Sequence, residues 1–387
     1  MKSLFLLLAA GIAAAGLLTA TGSAAGGTSH GGGTVKAGAC VSRHHAKMGR
    51  FGGIMHAQAI AGASCASDPA NGSPPLLWYG GPVMPGPVTV TPIYWEPSGY
   101  SNTTAYRSII NQYVSDVAAA SGTSSNVYST ATEYPGSNGS ISYSIVAGTP
   151  IVDHNKFPKG RGCSVGRLDK TGIYADGSGY TACIDDDQVI AEVQKVATAN
   201  GLPLNDYSHI YVMLLPKHVA SCFYAGSTAD SSNVCTIDHY PSAAYCAYHS
   251  MFGPAYPTTG TVYANMPFPI YQSPVGYTCG SDAGGHGTIE SPNGNADADT
   301  ELSPTSHEIM EAITDPNVAD GWFDIAGYEN GDECAYVYGA WSGTAGALYN
   351  QTINGHHYLT QEEFSNTDFA HTAGAGGCVQ SESAVTP

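Results

Sequence analysis

The sequence predicts an α/β fold: a layered domain with a mixed sheet, loop-rich and bridged by disulfides. Three observations lead there. Short β-rich runs alternate with stretches of helical periodicity, the pattern of layered α/β domains. One apolar run, Ser208 to Leu215 (SHIYVMLL), reads as a buried central strand. Ten cysteines, an even number, fit several structural disulfides in an oxidising compartment.

Taken in order, Lys2 precedes an apolar run from Leu4 to Leu18 and small residues from Gly22 to Gly26. That is a secretory signal peptide over 1–25. No later stretch approaches the ~20 apolar residues a spanning helix needs, so an extracellular protein with no membrane anchor is expected. Residues 26–75 are rich in Gly, Ala and Ser and hold the densest basic cluster, Arg43-His44-His45-Ala46-Lys47. They read as a flexible linker or pro-segment, with Cys40 and Cys65 available to pin it. A single domain over 76–380 follows, long enough to bury a sizeable core.

Within it, Pro87 to Trp95 alternates like a strand, and Pro92 suggests an edge or a bulge. Thr103 to Ala120 carries Ile109, Ile110, Tyr113, Val114 and Val117 at helical spacing. Ser140 to Val146 reads as a strand. Asp185 to Asn200 reads as a helix with acidic residues at its positive end and Gly201 closing it. A short helix near 304–314 begins at Ser303 as N-cap with Pro304 in the first helical position, and Asp315-Pro316 stops it. There is no internal repeat. Cys163–Cys183 and Cys334–Cys378 are trial disulfide pairings, since spacing alone does not fix connectivity. Asn71, Asn102, Asn138 and Asn350 lie in formal glycosylation sequons.

The net charge is −18, yet only 11% of residues are charged. Such acidity argues against nucleic acid as a partner and suits divalent cations.

The chemistry concentrates in Ser303 to Cys334. His307 and Glu311 lie one helical turn apart on the same face as Thr314, with Ile309 and Ile313 opposite. Glu308 follows His307 where the general base stands in the H-E-x-x-H motif of zinc peptidases, but the second His is here Glu311. A zinc hydrolase needs three protein ligands, an open position and a carboxylate base. The spacing to Glu329 and Asp332 is similar to that of thermolysin-like peptidases, which take a third Glu ligand from a second helix and orient a ligand imidazole with a later acid. The expected set is therefore His307, Glu311 and Glu329 as zinc ligands, Glu308 as base and Asp332 as the orienting acid. Asp315 is an alternative to Glu311 or Glu329. This set makes the expected domain zincin-like.

Asn293, Asn295, Asp297, Asp299 and Glu301 offer oxygen at every second position, a spacing that suits a loop around calcium or a solvated acidic turn. His249, in Cys246-Ala247-Tyr248-His249-Ser250, is a candidate for polarising a substrate carbonyl or orienting a ligand; a local structural role is the alternative. His356, His357 and His371 are less specific. There is no G-x-S-x-G and no phosphate-cradling loop. Trp78, Trp95, Trp322, Trp341 and the tyrosines are candidates for stacking on sugar rings or for ordinary packing.

Ser306 to Pro316, Gly321-Trp322-Phe323-Asp324 and Glu329 to Cys334 together resemble a group of secreted bacterial proteins marked by S-H-E-x-x-E-A-x-T-D-P, G-W-[YF]-D and E-[IN]-G-D-x-C. The C-x-Y-H-S around His249 and the closing Phe364-Ser365-Asn366 with Cys378-Val379 are similar to the same group. Trp78-Tyr79-Gly80-Gly81-Pro82, Val88-Thr89-Val90, Ile93-Tyr94-Trp95 and Arg107-Ser108-Ile109-Ile110 resemble the plant phosphate-induced protein 1 (EXORDIUM) family. That resemblance covers Trp78 to Cys378 and implies an extracellular, cell-wall-associated protein. Its plant members lack the His-Glu pair, which sets this chain apart. Two expectations follow. One is a monomeric zinc metallopeptidase-like hydrolase acting on protein or peptide; the other is a non-catalytic binder of wall polysaccharide with calcium in a structural role.

Overall fold

The structure is a computed structural model that describes residues 52–56, 58–59, 73–158, 162–164, 180–227, 234–236, 245–254, 259–269, 277–281, 283, 289–374 and 376–381. The expected signal peptide, the basic cluster, Cys40, Cys65 and Asn71 lie outside these residues. The strands that build the sheet are β1 (Gly52–His56), β2 (Val88–Trp95), β3 (Ile145–Ala147), β4 (Ile151–Asp153), β5 (His209–Leu214), β6 (Tyr245–Phe252) and β7 (Thr261–Met266). They form one mixed seven-stranded sheet in the order β1-β6-β7-β5-β2-β3, with β4 also on β2. β1, β6 and β7 are antiparallel to their neighbours along that edge, and β7, β5, β2, β3 and β4 run parallel.

β5 is interior, as its apolar run implies, and its side chains divide cleanly between the two faces. Ile210, Val212 and Leu214 join a core with Val88, Val90 and Tyr94 of β2. That core also holds Ile110, Tyr113 and Val117 of helix α1 (Thr104–Ala119), and Leu302, Ile309 and Ile313 of a second helix beside it. Tyr211 and Met213 face the other way, onto Val189, Val193 and Val196 of α2 (Asp186–Ala199). Each fully buried aliphatic side chain contributes about 2 kcal/mol.

α1 and α2 match their expected spans, and local chemistry explains both starts. The Thr103 hydroxyl accepts from the Tyr106 N–H, and the Asp185 carboxylate accepts from the Gln188 N–H, which completes a capping box. The strand expected over Ser140–Val146 is shorter, being only Ile145–Ala147 (β3).

Pro92 is neither at an edge nor in a bulge. Along β2 the N–H groups of even-numbered residues point toward β3 and β4, as Val88 N to Ser144 O and Glu96 N to Asp153 O show. Pro92 falls between β3 and β4, where the neighbouring strand is interrupted, so its missing donor leaves no acceptor unmatched.

The helix carrying the H-E-x-x-E motif, α3 (Ala296–Thr314), starts earlier than expected. Its N-cap is Asn295, whose side chain accepts from the Ala298 N–H, not Ser303; Pro304 lies inside the helix. Asp297 and Asp299 in the first turn favour that earlier start through the helix dipole. The Ser303 hydroxyl instead accepts from the Gln361 N–H. This also corrects the expected oxygen-rich loop. Asp297, Asp299 and Glu301 are helical, where alternate residues diverge, and Asp299 accepts from Ser291 Oγ and Asn293 Nδ2.

Four disulfides join described cysteines: Cys163–Cys183, Cys222–Cys235, Cys246–Cys279 and Cys334–Cys378. Both trial pairings are among them, and the set suits an oxidising compartment. All described residues belong to one compact unit, Val35–Pro387. Part of the expected linker is therefore sheet: β1 forms its edge on β6. No helix among the described residues is long and apolar enough to cross a membrane. The side chains of Asn138 and Asn350 are held by backbone groups of Val83, Tyr338 and Thr360, so these sequons are structural contacts.

Candidate metal centre

Three pieces of chain meet above the sheet. β6 supplies His249, on the same face as Ala247 and Met251, which pack toward α3. α3 supplies His307, Glu308 and Glu311, which its period brings together, since 307 and 311 are one turn apart and 308 and 311 are neighbours on the helix surface. The short helix α4 (Asn330–Glu333) begins after Glu329 and carries Asp332. The Cys334–Cys378 disulfide anchors its end, and Cys246–Cys279 anchors the start of β6.

The donors converge. His307 Nε2 lies 3.0 Å from Glu311 Oε2, 3.7 Å from Asp332 Oδ1 and 4.0 Å from Glu308 Oε1. His249 Nδ1 lies 3.4 Å from Glu308 Oε2 and 3.8 Å from Glu311 Oε2. His249 Nε2 lies 3.5 Å from Glu329 Oε2 and 3.0 Å from the Asp315 carbonyl oxygen. His307, Glu311 and Asp332 form one potential ion-binding triad, and His249, Glu311 and Glu329 form another. In each, the ligand atoms all lie within 4.8 Å of one another.

Backbone contacts hold the acids in place. The Asp332 N–H donates to Glu311 Oε1 at 2.8 Å, and the Glu329 N–H donates to Asp332 Oδ2 at 3.2 Å. Two glycines permit the close approach. A Cβ on Gly331 would lie 2.6 Å from His307 Nδ1, and one on Gly52 in β1 would lie 2.6 Å from Glu329 Oε1.

His249, His307, Glu308, Glu311, Asp315 and Glu329 are all 0% exposed, and Asp332 is 5% exposed. Neither oxygen of Glu308 accepts a hydrogen bond, and Glu311 Oε2 lacks hydrogen-bond alignment with any donor. Burial lowers the His307 pKa, but the Glu311 and Asp332 carboxylates raise it further, to about 9. Burial pushes Glu308 well above the ordinary carboxylate range, and repulsion from Glu311, Asp332, Glu329 and Glu363 adds to this. A cluster of buried like charges must be balanced by protons or by cations.

The sequence-predicted residues distribute differently from expectation. Glu329 joins His249 rather than His307, and Asp332 is a candidate ligand rather than only an orienting acid. The Asp315 carboxylate lies in neither triad; it accepts from the Gly321 N–H, while its carbonyl faces His249. His249, one of the weaker sequence candidates, is central. His356, His357 and His371 lie elsewhere: beside Asp116, stacked on Tyr349, and against the Thr367 carbonyl.

Sequence reasoning missed two residues. Glu363 is buried and raised in pKa by burial and by Glu311 and Asp332, and Gln361 donates to the Gly331 carbonyl at 2.6 Å. Their only signal was an acidic and amide run, Gln361-Glu362-Glu363, just before Phe364-Ser365-Asn366. The cysteine group Cys163, Cys183 and Cys222 offers no thiolates, because all three are in disulfides.

No protein-family model, curated protein or solved structure matches the chain.

Proposed function

We propose that this protein is a secreted, zincin-like metal-dependent hydrolase, with peptide or related amide bonds as substrate. The observation that carries the reading is the convergence of His307, Glu311 and Asp332 on one point, next to a buried Glu308 whose oxygens accept no hydrogen bond. Mixed imidazole and carboxylate donors suit zinc. A zinc ion held there would acidify a water and polarise a carbonyl. Glu308, between the two imidazoles, is placed to accept the proton. The Asp332 and Glu329 backbone bonds keep the carboxylates aimed inward.

The test is elemental analysis of the purified mature chain, followed by peptide hydrolysis. Zinc in the wild type that is lost in His307→Ala, with turnover abolished in Glu308→Gln, supports the hydrolase. A chain without bound metal overturns it.

One observation favours a second reading. The site is closed, while an aromatic surface lies open nearby: Trp78 and Tyr79 are about half exposed, and Tyr79 stacks on Phe323 at 3.9 Å. An EXORDIUM-like polysaccharide binder with a structural ion would have this arrangement. Bound metal without turnover on any peptide, together with wall-polysaccharide binding lost in Trp78→Ala, would support it.

A further inference from the structure

We propose that the site is a two-cation centre, with one ion at His307–Glu311–Asp332, a second at His249–Glu311–Glu329, and Glu311 shared between them. The proposal rests on the reading that the cluster binds a cation and extends it to a second position.

Donor spacing is the first argument. Zinc holds nitrogen and oxygen ligands at about 2.0–2.2 Å, so two donors of one ion are at most roughly 4.4 Å apart. Among the described residues, no potential ion-binding group with donors within 4.8 Å holds both imidazoles, and the two triads share Glu311 alone. One ion cannot use the whole set.

The second argument is where the carboxylates point. Glu311 Oε2 lies between the rings, 3.0 Å from His307 Nε2 and 3.8 Å from His249 Nδ1. The two oxygens of Glu308 face different imidazoles, Oε2 toward His249 and Oε1 toward His307. Both are buried and neither accepts a hydrogen bond. A carboxylate so placed spans two positions, and in two-metal sites the ions stand about 3.5–4 Å apart.

Charge is the third. Glu308, Glu311, Glu329, Asp332 and Glu363 are all buried around two histidines. Among the described residues, no lysine or arginine pairs with Glu308, Glu311 or Glu363. With every acid ionised, one divalent cation would leave a net charge of −3 and two would leave −1.

The test is metal stoichiometry on the full mature chain. Metal-free wild type titrated with Mn(II) should bind two equivalents, and the six-line spectrum of the first should broaden by spin coupling as the second binds. His249→Ala and Glu329→Gln should each bind one equivalent with an uncoupled spectrum, and Glu311→Gln should bind none at the same concentration. The conservative Glu329→Gln keeps the test usable if His249→Ala does not fold. A wild type that binds a single equivalent overturns the second site and leaves the hydrolase reading standing; a wild type that binds none overturns both. Two equivalents retained in both His249→Ala and Glu329→Gln would overturn the assignment of the second position.

Discussion

Asp116 on α1 and Glu308 on α3 are both fully buried acids on helices that pack side by side on one face of the sheet. Their surroundings are opposite. Asp116 Oδ1 accepts from Gln112 Nε2 at 2.8 Å and Asn354 Nδ2 at 2.9 Å; Oδ2 accepts from the Tyr358 hydroxyl and lies 2.8 Å from His356 Nδ1. On the other face, Asp186 accepts from the hydroxyls of Tyr248 and Tyr263. Glu308 accepts from nothing and faces four more carboxylates. Burying an ionised carboxylate without partners costs several kcal/mol. Folding has met that cost with hydrogen-bond donors at Asp116 and Asp186. At Glu308 it has gathered further acids, an arrangement that becomes favourable once cations are bound.

Glu311→Gln should break this contrast most strongly. Removing the shared carboxylate should abolish metal binding. With ions at about a thousandfold over their dissociation constant, each bound ion stabilises by about 4 kcal/mol. Melting in metal-replete buffer should therefore show the variant well below wild type. In EDTA the order should reverse, because the amide removes one charge from a repelling cluster. Variant and wild type changing in parallel under both conditions would contradict the picture.

Asp116→Ala should behave in the complementary way. It strands the Tyr358, Asn354 and Gln112 donors, at about 3 kcal/mol in all. Chemical denaturation should show this loss equally with and without EDTA, at unchanged metal content. A metal-dependent difference would erase the distinction between the two acids.

Gly331→Ala probes the cluster more gently. A methyl group 2.6 Å from His307 Nδ1 must displace the ring. Moving a ligand in this way costs roughly 10–100-fold in metal affinity. Competition with a chelator dye reads that shift directly, and unchanged affinity would mean that His307 is not a ligand.

How much of this was legible in the sequence follows from which interactions are local. α1 and α2 were readable because their caps lie within a few residues of their apolar stripes. The site on α3 was half readable: His307, Glu308 and Glu311 are fixed by helical period alone. Their partners are not. Whether Glu329 would meet His307 or His249 depends on the path from Gly321 to Asn330, and His249 sits in a strand whose neighbours are buried on both faces. The N-terminus of α3 is not legible locally: Ser303-Pro304 is a good start signal, but a competing cap at Asn295 with two acids behind it prevails. Pro92 misled for a related reason, since the break between β3 and β4 that accommodates it is set far along the chain.

Asp153 is the intermediate case, and it gives the smallest effect. Burial, with repulsion from Glu192, raises its pKa to about 6, while Asn155 Nδ2 and Lys195 Nζ hold Glu192. The folded pKa lies above the unfolded one. Its contribution is therefore fully present below the unfolded value near 3.8 and is lost as pH rises through about 6. Asp153→Asn keeps an oxygen for the Asn155 N–H and stays neutral throughout. The variant should match wild type at pH 4 and exceed it by about 1 kcal/mol at pH 8, less than the full linkage value because solvent screens the pair on the side of the exposed Lys195. Urea midpoints at the two pH values measure the difference. A gain of equal size at pH 4 and pH 8 would mean that the Asp153 proton is not what balances Glu192. Proton sharing would then drop out as a third way, beside hydrogen-bond donors and cations, in which this fold settles a buried acid.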